Sequence, residues 1–272
     1  MDKKLNKNTE VKGEHKRASK VIFILGVILV ACVVFALISS LVLLLFSVGE
    51  IEVVGDSRYN YSDIIDASGI TKGQRLYYLN ENKAENAILN ALPYLKNVKI
   101  KSHFPNRVKI EIEEYKEIYV LPHTNGFCYV NSDFEILEIV DSVPDYERFS
   151  GVFIKLEKPA VGEIGSLYQN EDTKRAGDLI EFIKEYGFYQ DLNIVDVEDK
   201  YNNSFVVAKK YKFVLGAMTD ISEKMDYSFK VCIDNSFERE KNAIIDATDK
   251  KKVILRYVND ENIRQEFDFC QK

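Results

Sequence analysis

Val21 to Phe46 is a run of 26 residues without a charged side chain, broken only by Gly26, Ser39 and Ser40. As a helix rising about 1.5 Å per residue, it is long enough to cross a hydrocarbon layer of roughly 30 Å with some tilt. The flanks set its direction. Seven basic residues (Lys3, Lys4, Lys7, Lys12, Lys16, Arg17, Lys20) and three acids (Asp2, Glu10, Glu14) precede the run. The first charges after it are Glu50, Glu52 and Asp56, and the first cation is Arg58. Positive charge beside a span stays cytoplasmic, so the N-terminus is expected inside and residues 48–272 outside. The alternative is a cleaved signal peptide, for which Ser47-Val48-Gly49 offers a small-x-small site. An apolar core of about 7–15 residues is usual there, so the length of this run favours a retained anchor. A buried globular helix is disfavoured because the run has no polar face.

The 225 residues beyond position 47 suffice for one large domain or two smaller ones. Of the chain's 37 basic and 43 acidic residues, the first twenty hold seven and three, which leaves a net charge of −10 outside and +4 inside. An acidic exterior argues against nucleic acid as a partner, and against electrostatic capture of the exterior as a whole by anionic wall polymers or lipids. Cys32 falls in the span, leaving Cys128, Cys232 and Cys270 outside. Three widely spaced thiols are not a disulfide framework, although one bridge is open to them, and no CxxC pair or Cys/His cluster suggests zinc. Buried, inert thiols are the expectation for Cys128 and Cys232.

Residues 48–54 read as a strand, Gly55-Asp56-Ser57 as a turn and residues 61–67 as a short helix. Ala84, Ala87, Ile88, Ala91 and Leu92 recur on one helical face, with Asn80 or Asn82 placed to cap it and Pro93 to stop it. The period then drops to two. Val98 and Ile100 alternate with Lys99 and Lys101; after Phe104-Pro105-Asn106-Arg107, Val108, Ile110 and Ile112 alternate with Lys109, Glu111 and Glu113. This is a hairpin with one apolar and one charged face. A three-stranded sheet covered by two helices would bury the apolar side of each element. Further on, residues 127–130 and 134–139 flank the turn Asn131-Ser132-Asp133, and residues 146–161 look irregular. A helix from about Glu171 buries Ala176, Leu179, Ile180 and Ile183 and ends at Gly187. Strands are expected at 194–197, 205–208 and 213–215, then a helix with an Asp220-x-x-Glu223 capping box, then closing strands at 243–247 and 253–258.

Taken in order, these residues resemble a known family. Ile51-x-Val53-x-Gly55 follows the span, then Gly73-x-x-Leu76-Tyr77-x-Leu79, Pro93-x-Leu95-x-x-Val98 and Phe104-Pro105-Asn106-x-Val108-x-Ile110-x-Ile112-x-Glu114. Val214-Leu215-Gly216 with Lys224 adds to the series. With a short basic tail and one span, the chain resembles the FtsQ/DivIB family of bacterial division proteins. The resemblance implies an α+β architecture: an N-terminal transmembrane helix, a POTRA domain (β-α-α-β-β) and a β-rich second domain with flanking helices. The expected boundaries are a cytoplasmic tail at 1–20, a span at 21–47, the POTRA domain at 48–116, the β domain at 117–258 and a loose tail at 259–272.

No catalytic motif or cofactor site is found. His103 sits on the charged side of a strand and His123 in the Pro122–Gly126 turn, both read as solvated. Gly162-Glu163-Ile164-Gly165 lacks the Lys-Ser/Thr of a phosphate loop and reads as a turn, and Glu111, Glu113 and Glu114 read as a solvated face. What remains is surface for proteins. The last strand, with Lys252, Val253, Ile254, Leu255, Arg256 and Tyr257, is the candidate partner-binding element, because an open sheet edge recruits strands. By resemblance it would bind small single-span coiled-coil division proteins, FtsB/DivIC-like and FtsL-like, in a scaffold that serves septal wall synthesis. The competing reading is an interior strand covered by the tail through Phe267 and Phe269. Other readings are a POTRA-containing secretion or assembly component, which would normally carry a long β-barrel, an envelope sensor, and an anchored wall enzyme, for which no nucleophile–base pair is apparent.

Overall fold

The computed structural model describes residues 20, 23–41, 46–142, 151–234 and 241–258. Phe267, Phe269 and Cys270, the basic tail before Lys20 and part of the stretch expected to be irregular lie outside them. The chain divides into two compact units, Met1–Glu113 and Glu114–Lys272.

The first unit contains helix α1 (Phe23–Leu41), 19 residues with a mean hydropathy of 2.9, exposed along its length and, by length and composition, able to cross a membrane. Its folded part runs β1 (Glu50–Val54), α2 (Tyr61–Ser68), α3 (Glu81–Ala91), β2 (Leu95–His103) and β3 (Arg107–Glu114). The sheet order is β1-β3-β2, with β1 parallel to β3 in the register Ile51↔Val108 and Val53↔Ile110. The three residues between β2 and β3 are too few for anything but a hairpin. Asn80, not Asn82, caps α3: its Oδ1 accepts from Lys83 N at 3.0 Å. One core holds Ile64, Ile88, Val108 and Ile110, all fully buried, which is the apolar side of each amphipathic element turned inward. Gly55 has φ +129°, and a Cβ there would lie 2.3 Å from the Ile112 carbonyl oxygen. Only glycine fits that approach, which accounts for the Gly55 of the sequence series. On the outer face of the hairpin Glu111 accepts from Lys101 at 2.9 Å and Lys109 at 2.8 Å. Hydrogen bonds from Lys109 and then Lys101 lower its carboxyl to about 2. These groups are half-exposed at the surface, so such pairs order the face more than they stabilise it.

The second unit is built on one sheet. Nine described strands run in the order β12-β11-β10-β9-β8-β7-β4-β5-β6: β4 (Ile118–His123), β5 (Gly126–Asn131), β6 (Ile136–Val140), β7 (Val152–Lys155), β8 (Leu192–Asp196), β9 (Asn203–Val207), β10 (Tyr211–Gly216), β11 (Asn242–Asp249) and β12 (Lys252–Val258). Helices α4 (Glu171–Glu185) and α5 (Ile221–Ile233) supply Leu179, Ile180, Ile183 and Met225 to the large core on one face. In that core Phe205 and Phe213 stack with centroids 4.6 Å apart. Val120, Phe153, Ile194 and Val206 form a smaller buried cluster. Asn170 caps α4 with a reciprocal box to Thr173. Cys128 is buried and its thiol pushed up to about 12 by desolvation; Cys232 is pushed up to about 11 for the same reason. Both are free, and protonated thiols are poor nucleophiles.

Four expectations are corrected. Residues 118–123 form a central strand that takes in the first two residues of the expected Pro122–Gly126 turn: Ile118 to Leu121 are buried on both sides, so no alternation marks them. Val152–Lys155, inside the stretch expected to be irregular, is likewise a central strand. His123 is buried, with Nε2 3.3 Å from the Gly162 carbonyl and Nδ1 accepting from Asn125 N at 3.3 Å. Asp220 stands at the start of α5 in the left-handed region (φ 56°) and makes no side-chain cap; its carboxylate pairs with Lys250 at 3.2 Å.

Candidate partner-binding edge

Sheet edges expose unpaired backbone groups, and proteins close those that must not recruit strands. Two edges here are closed by identifiable devices. In β2, Ile100 N and Ser102 N donate to the carboxylates of Glu85 (2.7 Å) and Glu81 (2.8 Å) on α3. Two glutamates one helical turn apart thus satisfy the alternate N–H groups that a fourth strand would need. In the large sheet, the start of β6 is covered by the 162–168 loop. Ile136 N donates to Ser166 O at 2.9 Å, Gly165 N donates to Ile136 O at 2.7 Å, and Glu135 bridges Leu167. The glycine loop expected as a turn is part of this strap.

The opposite edge is β12. It pairs antiparallel with β11 through Asn242↔Val258, Ala243↔Tyr257, Ile244↔Arg256, Ile245↔Leu255 and Asp246↔Ile254. Among the described residues no strand lies on its other side. Val253 and Leu255 pack against the large core, while Lys252, Ile254, Arg256 and Tyr257 are exposed. Ile254 is 43% and Tyr257 38% accessible, an apolar pair on a seven-residue strand. Lys241 Nζ stands 5.4 Å from the centre of the Tyr257 ring. The six residues singled out in sequence therefore sit together on one outer strand.

The edge is held by α5. Lys224 is buried, and its Nζ donates to the carbonyls of Leu215 (2.8 Å) and Ala217 (2.7 Å) at the end of β10. Desolvation lowers its pKa, and Asp220 works against that shift. Ser228 Oγ donates to Lys224 O at 2.7 Å. Gly216 has φ +68°, with Thr248 of β11 3.0 Å from where a Cβ would be. Lys250, between β11 and β12, pairs with Asp220 and, at 3.8 Å, Glu223 of α5. The motif Val214-Leu215-Gly216 with Lys224 is thus the joint that fixes α5 to the strands beneath it. In the sequence that motif is legible only as a resemblance, and the two edge-closing devices depend on contacts that no local pattern announces.

No group of three or more His, Cys, Asp or Glu able to hold a metal occurs among the described residues. Residues 46–115 match the family model described as "POTRA domain, FtsQ-type". Similar proteins include cell division protein DivIB of Clostridium acetobutylicum, 28% identical over 192 residues, covering 69% of this chain and 74% of that one. DivIB of Clostridium tetani is 23% identical over 190 residues, covering 69% and 70%. Cell division protein FtsQ of Corynebacterium glutamicum is 26% identical over 121 residues, covering 44% and 53%.

Proposed function

The chain belongs to the FtsQ/DivIB family of bacterial cell-division proteins, and from that premise we propose that it is a non-enzymatic, membrane-anchored scaffold of the division machinery. The observation that carries this reading is the outer strand β12, which among the described residues ends a sheet whose other end is covered by a strap. An edge left in this state suits the addition of an extended segment from another chain, with main-chain bonds giving affinity and alternate side chains giving selectivity. The partners are small single-span coiled-coil division proteins, FtsB/DivIC-like and FtsL-like, and through them the septal wall synthesis machinery. The exposed Lys252 and Arg256 favour a partner strand with acidic residues among its apolar ones. Depletion tests the role: cells should grow as filaments with unfinished septa. Normal cell length and division after depletion would refute it.

The scaffold works at the division septum with its N-terminus in the cytoplasm and both folded units outside. The +4 tail before the span and the acids after it support this orientation. Protease added to cells stripped of their wall should digest residues 48–272. Complete protection of that part in intact protoplasts would reverse the topology.

A further inference from the structure

The apolar run ends at Phe46, and Phe46 is already part of the POTRA fold. Leu76 N donates to Phe46 O at 3.0 Å, Val48 N to Gln74 O at 2.8 Å and Gly73 N to Val48 O at 2.8 Å. This ties residues 46–48 to the 73–76 loop. Gly49 N donates to Asn106 O at 2.8 Å, and the Phe46 ring meets Phe104 edge-on at 5.6 Å. The chain entering from α1 therefore gathers two loops at one end of the module. Five steps separate Leu41 from Phe46, a reach of at most roughly 17 Å. Whatever occupies that end is constrained to lie within this distance of the end of α1.

That end is unlike the rest of the module. Tyr77 is 82%, Tyr78 71% and Phe104 63% accessible, the three most exposed large apolar side chains of the POTRA fold. Leu76, whose N–H is tied to Phe46 O just before the two tyrosines, is buried, so the short turn directs both rings outward. The first of these loops is also basic: residues 69–80 hold Lys72 and Arg75 and no acid, whereas in the second Lys101 is paired with Glu111 and Arg107 with Glu50 and Glu52. The extracytoplasmic part as a whole carries −10. Rings with an apolar body and a polar tip, flanked by cations, suit the boundary between acyl chains and anionic headgroups.

We propose that this end of the POTRA module is a lipid-contacting surface: Phe46, Tyr77, Tyr78 and Phe104, flanked by Lys72 and Arg75, seat the module in the headgroup layer beside its own span. The contact restricts the swing of the module about the chain that leaves the membrane. It rests on the reading of Val21–Phe46 as a membrane span.

The sequence contains no tryptophan, so Tyr77→Trp in the full-length protein gives a single fluorescent reporter at a solvent-facing position. Tyr201→Trp, at an exposed turn of the second unit, is the reference. Both variants are reconstituted into otherwise protein-free vesicles of phosphatidylethanolamine and phosphatidylglycerol, with and without brominated phospholipid. The Tyr77→Trp emission should be blue-shifted, and bromolipid should quench it at least about threefold more than the reference, as for an interfacial ring. Phe104→Trp should behave as Tyr77→Trp does. Water-like emission and reference-level quenching at both positions, in protein retained by the bilayer, would overturn the lipid contact alone. A chain that the bilayer does not retain would overturn the span reading as well.

Discussion

Tyr257→Lys is expected to abolish capture of the coiled-coil division partners while both units stay folded. The residue lies on the outer strand, opposite Ala243 of β11, and its ring is too exposed for the core to depend on it. Lysine keeps the length of the side chain but removes the ring. It also sets a second ammonium beside Lys241, now positioned over the Tyr257 face. Lysine on an edge strand is itself a common means of preventing strand addition. An aromatic anchor at an interface is commonly worth ~2 kcal/mol or more, a loss of about thirtyfold in affinity. Leu255→Pro should have the same effect by another route, because proline removes a backbone donor and does not fit an extended ladder. Leu255 also packs inward, so this variant needs a circular dichroism and thermal-unfolding control, which Tyr257→Lys should pass unchanged. Pull-down from membranes by the full-length variants reads the outcome. Undiminished capture by folded forms of both would exclude this edge as the binding surface.

The parts of the fold that were legible in the sequence are those with one wet face. The hairpin β2–β3 alternates Val98 and Ile100, Val108, Ile110 and Ile112 against charges, and all five are buried. Helices α3 and α4 show their stripes at helical spacing, with asparagine caps in front of both. The strands that escaped are β4 and β7, in the middle of the large sheet. A strand buried on both faces has no polar side, and Ile118-Tyr119-Val120-Leu121 therefore carries no period to read. Pro122 and the nearby Gly126 made the same stretch look like a turn. His123 was misread with it: its polarity suggested solvent, but the ring is enclosed between the Gly162 carbonyl and the Asn125 amide. The candidate edge was half legible. Its residues follow from lying in the last strand, but their exposure depends on which other edges are closed. Glu81 and Glu85 reaching β2, and the 162–168 strap crossing β6, are tertiary contacts between segments 15 to 32 residues apart.

Lys224→Met should destabilise the second unit by about 2–4 kcal/mol, more than any single exposed contact in it could. Methionine fills nearly the same volume, so the loss isolates the ammonium. Without it the carbonyls of Leu215 and Ala217, at the buried end of β10, lose the donor that satisfies them. Leaving a buried acceptor unpaired costs about 1–3 kcal/mol. Relief from desolvating the charge offsets part of this, which is why the expected cost stays below the sum of two such losses. Urea unfolding should show a lower midpoint with an unchanged slope, the sign of lost stability rather than altered compactness. The consequence for function follows from the packing: α5 covers β10, β11 and β12, and Lys224 is its tie to the first of them. Loosening that tie should speed amide hydrogen exchange in β12 and weaken partner capture, even though Lys224 itself lies inside the fold. Tyr257→Lys, by contrast, should lose capture without losing stability. An unfolding midpoint for Lys224→Met equal to that of the unsubstituted protein would mean that the two carbonyls find other donors, and that α5 is held by its apolar face alone.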